Sequence, residues 1–496
     1  MSGLDEIDQW LAAGAGTGEP CERLIQTPIS KVFLFHDRAL KRKKPVDFGF
    51  LDFTSLQKRH DISLRELALN QITAPDVYRA LHSVTPCTGG YSLGPFEAAE
   101  AEDYVLEMRR FDEACVLSEC PDRVDPALAE TIGREIARFH ARADKGSAGG
   151  GAAGTDYVLR SNADQMQALA GVLGLEAVNE VVALSDAELK RQAALLDARL
   201  AAGLVRVCHG DLHLGNILLE EGRAVLFDRI EFNDRLIEID VLYDLAFLLM
   251  DLGFRGRAEA ANRALNGWLD EAARHMAPEL LFAGLAALPL FQSVRAGVRC
   301  HVSGHNGQAD AARAYLAAAK AHLSTTPARL VCLGGLSGTG KSTLARVLAP
   351  TLGHAPGAVI LRTDEMRKRL FGADPLQPLP PEAYGPEADE RVHQALFDTA
   401  NIALNVGASV ILDATFRSAQ RRAEALALHP SAVGLWLEAP VDVLRARVAA
   451  RSGDASDADV AVLERHLASA SPVEDWRHLD AAAPLPAQVA QAHLAL

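Results

Sequence analysis

The sequence lacks an excess of positive charge, a long apolar run and paired cysteines, and each absence closes off a class of function. Among 496 residues, 50 Lys and Arg face 65 Asp and Glu, for a formal net charge of −15. The residues before Pro327 hold 34 basic against 46 acidic side chains and so carry −12 of that charge. A nucleic-acid partner needs basic surface for its phosphates, so this part argues against one. An acidic face would suit a cationic acceptor, although it more often serves solubility alone. The longest apolar stretch, Glu279 to Phe291, is too short and too interrupted to span a bilayer, so no membrane partner is expected. Asp5, Glu6 and Asp8 come early, where a secretory signal would have a basic and then an apolar segment. Seven cysteines, an odd number without a C-x-x-C pair, read as reduced thiols in a cytoplasmic protein. Hydrophobic residues make up 49% of the chain and charged ones 23%, which is ordinary globular composition, and the length leaves room for two or three domains.

What is present organises around His209-Gly-Asp-Leu-His-Leu-Gly-Asn216-Ile-Leu-Leu219 and the apolar run that delivers Phe227-Asp228. Phosphoryl transfer asks a protein to hold a nucleotide, clamp the metal that neutralises its phosphates, and orient an acceptor hydroxyl. Asp211 is the residue that would take the hydroxyl proton. Asn216, five residues on, offers an amide oxygen to Mg2+, and Asp228 supplies the anionic oxygen that hard cations prefer. Gly, Asp and Asn also favour plain turns, but strand-like apolar runs flank this loop on both sides.

Upstream, Lys31 to Phe35 and Ala39 to Lys43 read as strands joined by a turn. Alternation places Ala39, Lys41 and Lys43 on one face, where Lys41 or Lys43 would reach nucleotide phosphates. Ser63-Leu-Arg-Glu66 reads as a capping box opening a helix that runs to about Ala74. Strand-like segments at 77–84 and 103–111 complete a small antiparallel sheet. A helix from Asp125 to Ala143 leads to the glycine-rich 146–154 stretch, read as a flexible insertion, and further helices run to Leu204. Beyond Asp228, the Ile237 to Met250 run and Ala-rich helices to about Leu323 are expected to pack as a helical lobe.

On these residues, the segment from about 25 to 320 resembles the aminoglycoside phosphotransferase and choline kinase branch of the protein-kinase-like fold, with Gly210 where protein kinases carry Arg after the His. The resemblance implies a bilobal domain over 25–323, its first lobe ending near 111, after an N-terminal extension over 1–24. It also implies ATP and Mg2+ as cofactors and a small-molecule hydroxyl acceptor. By the same resemblance Lys41 and Glu66 bind the nucleotide, Asp211 is catalytic, and Asn216 and Asp228 hold metal. Glu66 then has two readings, cap or lysine partner. No G-x-G-x-x-G separates the first strands, only Gln26-Thr-Pro-Ile-Ser30, so the loop that would cover the nucleotide stays unassigned.

A linker at 324–327 hands over to a second nucleotide site in 328–496. Apolar Leu330 to Leu333 runs into Gly335-Leu-Ser-Gly338-Thr-Gly340-Lys341-Ser342-Thr343 and then a helical stretch, which is G-x-x-x-x-G-K-[ST] in strand, loop, helix context. The glycines let backbone N–H groups wrap phosphates at a helix N-terminus. Lys341 reaches the outer phosphates and Ser342 holds Mg2+. Two further strands end in Asp364 and Asp413, and alternation of strands with helices predicts a parallel sheet. Arg445, Arg447 and Arg451 occupy a late helix and the loop after it, where a lid would close over transferring charge.

This segment resembles P-loop kinases of the gluconate kinase, zeta-toxin and polynucleotide 5′-kinase type. The resemblance makes Asp364 the candidate base and Arg367 a holder of the acceptor, with Asp413 open as an alternative that carries a metal-bound water. The fold class expected is thus a protein-kinase-like α+β domain followed by a parallel α/β P-loop domain. The function expected is a two-headed small-molecule kinase. Two alternatives stand beside it: a C-terminal head that phosphorylates polynucleotide 5′-hydroxyls, for which Arg367-Lys-Arg369 is the basic cluster, and a C-terminal nucleotide sensor that gates the N-terminal kinase.

Overall fold

The computed structural model describes residues 3–17, 19–49, 51–95, 98–450, 455–469 and 472–496. They divide into two compact units: Met1–Val124 with Asp144–Gly150 and Val205–Ile239, and Asp125–Ala143 with Gly151–Leu204 and Asp240–Leu496.

The first unit is built on β1 (Arg23–Gln26), β2 (Ser30–Leu34), β3 (Arg38–Lys43), β4 (Tyr78–Cys87), β5 (Gly90–Pro95) and β6 (Asp103–Arg109), in the order β1-β2-β3-β6-β4-β5 with antiparallel neighbours. Alternation buries both faces. Phe33, Leu40, Val84 and Val105 meet Ile7 and Leu11 of the helix Gly3–Ala12 on one side, while Leu34, Ala39, Leu81 and Leu106 pack with Leu218 on the other. The N-terminal helix also delivers a charge to this sheet. Asp8 accepts from buried Arg42 at 2.8 Å, and Arg42 and Arg59 both pair with fully buried Asp103. Each buried charge thus has an opposite partner, the condition under which burial is tolerated.

Two sequence expectations are corrected in this unit. The helix is Leu56–Gln71, capped by Ser55, whose side chain accepts from Lys58 N–H, and Ser63 and Glu66 are buried in its interior and cap nothing. The run Gln57 to Asp61 hid the first two turns because it is polar, and Arg59 is buried there through its pairing with Asp103. The glycines at 146–154 are not a flexible insertion. A Cβ at Gly149 would lie 2.1 Å from the Arg235 carbonyl and one at Gly146 would lie 2.6 Å from Glu238 Cβ, so these glycines permit close packing. Glu238 also accepts from the Ser147 and Ala148 N–H groups, and a helix begins at Gly151.

Later in this unit, β7 (Val205–Val207) pairs with β10 (Glu238–Asp240), and β8 (Ile217–Glu220) forms a hairpin with β9 (Arg223–Leu226). Its two-residue turn, Glu221-Gly222, has φ of +48° and +77°, the paired left-handed geometry that matches strand twist. This hairpin fixes the site that follows, because Asn216 enters it and Phe227-Asp228 leaves it side by side, with Phe227 N–H on Asn216 O at 3.0 Å.

The second unit contains a helical part and a parallel sheet. Helices Pro126–Arg142 and Ala258–Ala272 approach closely at Gly133 and Gly267, where a Cβ would stand 2.2 Å from Ala264 O and 2.5 Å from Glu130 O. Fully buried Trp268 donates to His140 Nδ1 at 3.1 Å, and His140 bonds buried Asp244 at 3.0 Å.

The sheet comprises β11 (Leu330–Gly334), β12 (Val359–Arg362), β13 (Val410–Asp413), β14 (Val433–Glu438) and β15 (Arg477–Asp480), all parallel, in the order β12-β13-β11-β14-β15. Its core gathers Val331, Leu333, Ile411, Leu435 and Leu437 from neighbouring strands with Leu344 and Leu348 of the helix Lys341–Leu348, as a covered parallel sheet requires. Among the described residues no single helix is long and apolar enough to cross a membrane. The segments Pro278–Ala286 and Leu288–His305 meet that criterion only together and are bent by 61°.

Candidate active sites

In the first unit, β3 turns Lys41 and Lys43 toward the helix Leu56–Gln71, and Glu66 receives both. Lys41 Nζ lies 2.7 Å from Glu66 Oε1 and Lys43 Nζ 2.6 Å from Oε2. Beyond Glu66 the lysines diverge. Lys41 also reaches Asp228 Oδ1 at 2.8 Å, whereas Lys43 turns inward to Glu231, which is 4% exposed. Side-chain exposure separates the roles: Glu66 is 1% and Lys43 2% exposed, while Lys41 keeps 13% and Asp228 48%.

Burial alone would raise the Glu66 carboxyl, but the two ammonium groups outweigh it and hold its pKa at about 2. Burial would likewise lower Lys41, yet Asp228 and Glu66 hold it well above its ordinary value. Glu231 is pushed up by burial, against the pull of Lys43. The folded pKa of Glu66 lies below the ordinary 4.5, so the stability it adds is complete above that value and is lost as pH falls toward about 2. The gap in urea-unfolding free energy between the protein and a Glu66→Gln variant is therefore expected to be widest at neutral pH and to narrow between pH 4.5 and 2. A gap independent of pH over that interval would contradict the two-lysine clamp.

The loop 209–216 is held by its own backbone. Buried His209 accepts from Asp211 N–H on Nδ1 at 3.3 Å, which leaves Nε2 as the donor to Phe227 O at 2.9 Å. Gly210 has φ of +87°, and a Cβ there would sit 2.7 Å from Leu236 O, so only glycine fits between His209 and Asp211. The Asn216 amide donates to Asp211 O and Asp211 Oδ2, both at 2.9 Å, and so directs its own carbonyl oxygen away from Asp211. Asp228 adopts φ of +60°, and its N–H is caught by the hydroxyl of buried Tyr78 at 3.0 Å.

Three residues that the sequence reading passed over complete this site. Glu231 fixes Lys43, Tyr78 fixes the Asp228 backbone, and Arg229 is 1% exposed and donates to the carbonyls of Leu69, Val207 and Cys208. Arg229 thereby fastens the end of the Glu66 helix to the strand before His209. No pattern marks an arginine whose partners are carbonyl groups. Glu231 had a faint signal, as the acidic residue three positions after Asp228.

In the second unit, Gly335 to Gly340 link β11 to the helix Lys341–Leu348. Gly335, Gly338 and Gly340 have φ of +144°, +88° and +84°, and a Cβ at Gly335 would stand 2.6 Å from Leu437 O. Lys341 Nζ donates to Gly335 O at 2.8 Å and Leu336 O at 3.1 Å, which places its charge over the loop. Ser342 Oγ donates to Asp413 Oδ2 at 2.5 Å, and Arg362 Nε reaches the same oxygen at 3.3 Å. Thr343 is exposed in the first turn of that helix. Asp364 is half-buried in the first turn of the helix Thr363–Leu370, at the same strand-end edge as Asp413 and Gly335.

Arg367 is 6% exposed. It donates to Ala383 O at 2.6 Å, pairs with Asp389 and stacks over Tyr384 at 5.1 Å, so it braces the segment around Tyr384. Buried Lys368 holds both oxygens of Asp457, at 2.7 and 2.6 Å, and the Tyr384 hydroxyl bonds the same carboxylate. The late arginines separate. Arg447 donates to Ala481 O at 3.0 Å and Gly338 O at 3.4 Å beside the loop, whereas Arg445 pairs outward with Glu464 and Asp442. Their helix ends at Ala449, and Arg451 lies outside the described residues.

Family models match both parts: one described as a phosphotransferase enzyme family over residues 63–279, and one described as an AAA domain over residues 330–473. The chain is 30% identical over 500 residues to uncharacterized protein Rv2004c of Mycobacterium tuberculosis H37Rv, covering 96% of each, and a Mycobacterium bovis protein matches to the same extent. Among solved structures, a choline/ethanolamine kinase family protein from Mesorhizobium loti is 17% identical over 65% of this chain and 95% of its own, with a TM-score of 0.39. A sugar kinase from a Janibacter species is 23% identical over 34% of this chain and 94% of its own, with a TM-score of 0.29. The chain belongs to the family of these full-length mycobacterial relatives and is a phosphotransferase, with a kinase-like domain of the phosphotransferase enzyme family followed by a P-loop kinase domain.

Proposed function

We propose that the chain is a two-headed ATP-dependent kinase, each head moving the γ-phosphoryl group of ATP to a hydroxyl of a small molecule of the sugar, amino sugar or amino alcohol class. The observation that carries this reading is that each part of the chain pairs the polar groups phosphoryl transfer calls for: Lys41 with Glu66 and Asp228, and Asn216 with Asp211, in the first, and Ser342 with Asp413 beside the loop that Lys341 caps in the second. The heads correspond to residues 25–323 and 328–496, in a cytoplasmic protein.

In the first head, the Asp211 carboxylate takes the proton of the acceptor hydroxyl. The hydroxyl oxygen bonds the γ-phosphorus as the bond to the β–γ bridging oxygen breaks and that electron pair leaves with ADP. Lys41, held by Glu66, presents its charge to the phosphates. Asp228 and Asn216 offer a carboxylate and an amide oxygen, the all-oxygen donor set that fits Mg2+. When bound, the metal neutralises phosphate charge.

In the second head, backbone N–H groups of Gly338 to Thr343 wrap the phosphates and Lys341 faces the outer ones. The bond from Ser342 to Asp413 supports the metal side for this pair and leaves Asp364 as the base. Arg447 beside Gly338 stabilises charge in transfer, and Arg451 serves the same part.

The test incubates the full chain with γ-labelled ATP, Mg2+ and a panel of sugars, amino sugars, amino alcohols, nucleosides and a 5′-hydroxyl oligonucleotide. Label reaching a small acceptor through each head supports the reading. Label reaching only the oligonucleotide, or none transferred, rejects it.

A further inference from the structure

The helix Ala258–Ala272 lies within the segment matched by the phosphotransferase family, yet one polar face of it is engaged by the P-loop sheet. β12 is an edge strand of that sheet. On its inner side Val359 N–H pairs with Ser409 O and the ladder runs along β13, so the outer side presents Ala358 C=O and Ile360 N–H. Such an edge is normally covered, charged or shortened.

Here it is covered by two carboxamides one helical turn apart. Asn266 Oδ1 accepts from Ile360 N–H at 2.7 Å, and Asn266 Nδ2 donates to Ala358 O at 3.2 Å. Asn262, fully buried, donates to the same Ala358 O at 3.0 Å, and its Oδ1 accepts from Asn266 Nδ2 at 3.1 Å. In a parallel ladder, one residue of the neighbouring strand donates to the carbonyl before its partner and accepts from the N–H after it. Asn266 reproduces that rung around Val359, so one side chain stands in for a sixth strand.

The strand so held runs directly into the acceptor side of the C-terminal head. Two residues after Ile360 comes Arg362, which bonds Asp413 at 3.3 Å, and two further on comes Asp364. The far end of the segment is held from the same helical part, by Arg274 Nη1 on Ala373 O at 2.6 Å. Between them, Glu365 pairs with Arg362 at 3.0 Å and shares the field of Arg134, which itself bonds Asp270 of the Ala258–Ala272 helix at 2.6 Å.

We propose that Asn262 and Asn266 are positioning residues for the C-terminal kinase head: a helix of the phosphotransferase-family part completes the edge of the P-loop sheet and thereby sets the place of Asp364 and of the Arg362–Asp413 pair. The inference rests on the reading of residues 328–496 as a kinase with Asp364 as base. It makes the first part of the chain a structural component of the second head's chemistry.

The test uses the full chain with the N-terminal head silenced by Asp211→Asn, comparing that parent with added Asn266→Leu and Asn266→Asp. Leu removes both bonds at nearly constant volume, and Asp retains the acceptor for Ile360 N–H. Two quantities are read: steady-state transfer by the C-terminal head, and amide hydrogen exchange over residues 358–369.

With Asn266→Leu, exchange is expected to quicken in 358–369 while the 330–348 segment keeps its protection. The kcat should fall on the order of 10- to 100-fold, the scale at which small misplacement of a reacting group is felt. The KM for ATP should stay within about twofold, because the phosphate loop follows β11, two strands inward. Asn266→Asp should recover part of both readouts. Quickened exchange with unchanged kcat overturns the positioning role, and unchanged exchange overturns the pairing itself. A parent that transfers no label while binding ATP overturns the kinase reading of this head, and the present inference with it.

Discussion

Asp211→Asn is expected to lower phosphoryl transfer by the N-terminal head on the order of 10³-fold, within the span assigned to a positioned general base. The substitution keeps the shape and one acceptor oxygen at the position and removes the one property the mechanism needs, a carboxylate able to hold a proton. Lys41, Lys43, Glu66, Glu231 and Asp228 pair with one another without Asp211, so the KM for ATP should move by less than about threefold. The Asp211 side chain is 38% exposed and accepts from the Asn216 amide, a bond that asparagine can keep through its own carbonyl oxygen. Global stability should accordingly change by no more than about 1 kcal/mol. The measurement is initial-rate transfer in a Lys341→Ala background, with circular dichroism to verify folding. Full activity in a folded Asp211→Asn protein would remove Asp211 from the chemistry.

Lys341→Ala is expected to lower transfer by the C-terminal head on the order of 10²- to 10³-fold, the scale found when one preorganised charge-stabilising group is removed. The helix it opens begins inside the loop, where Gly338 and Gly340 hold left-handed backbone that presents N–H groups to an anion, and Lys341 is the cation placed on the same loop. Removing the ammonium leaves those N–H groups and the bond between Ser342 and Asp413 in place. Residual nucleotide binding is therefore expected, weakened by at least about tenfold, while transfer falls further. Transfer by the N-terminal head should be unaffected when each head is assayed with its own acceptor. Equilibrium binding of a labelled ATP analogue and single-turnover transfer separate the two effects. A C-terminal head that works at its normal rate with alanine at 341 would show that this loop does not carry the reaction.

The loops proposed to carry chemistry were legible for a physical reason. A phosphate loop needs glycines at left-handed positions and a lysine at fixed spacing within one stretch of chain, so Gly335 to Ser342 declare themselves locally. The His209 to Asn216 loop is equally local, since Asn216 bonds Asp211 across only five residues. Alternation on β3 placed Lys41 and Lys43 on one face, and both reach Glu66. Local patterns misled where a distant group supplied the missing half of the argument. Arg59 sits in a helix turn that reads as solvated because its partner, Asp103, lies 44 residues away. Gly146 and Gly149 read as flexible because Glu238 and Arg235, which crowd them, lie about 90 residues on.

The sequence by itself determined the two kinase-family motifs and their order along the chain, because strand, loop and helix signals for a phosphate loop and for the aspartate-bearing loop operate within single turns of chain. Only the tertiary structure decided which lysine faces Asp228 and which is buried on Glu231, because two side chains on one face of a strand are distinguished by what packs opposite them. It likewise decided that Asp413 bonds Ser342, that Arg367 braces Tyr384, and that Asn262 and Asn266 close the edge of β12. Asn262 lies 96 residues from the carbonyl it serves. A carboxamide that stands in for a strand has no sequence signature, since its meaning comes entirely from the backbone it meets.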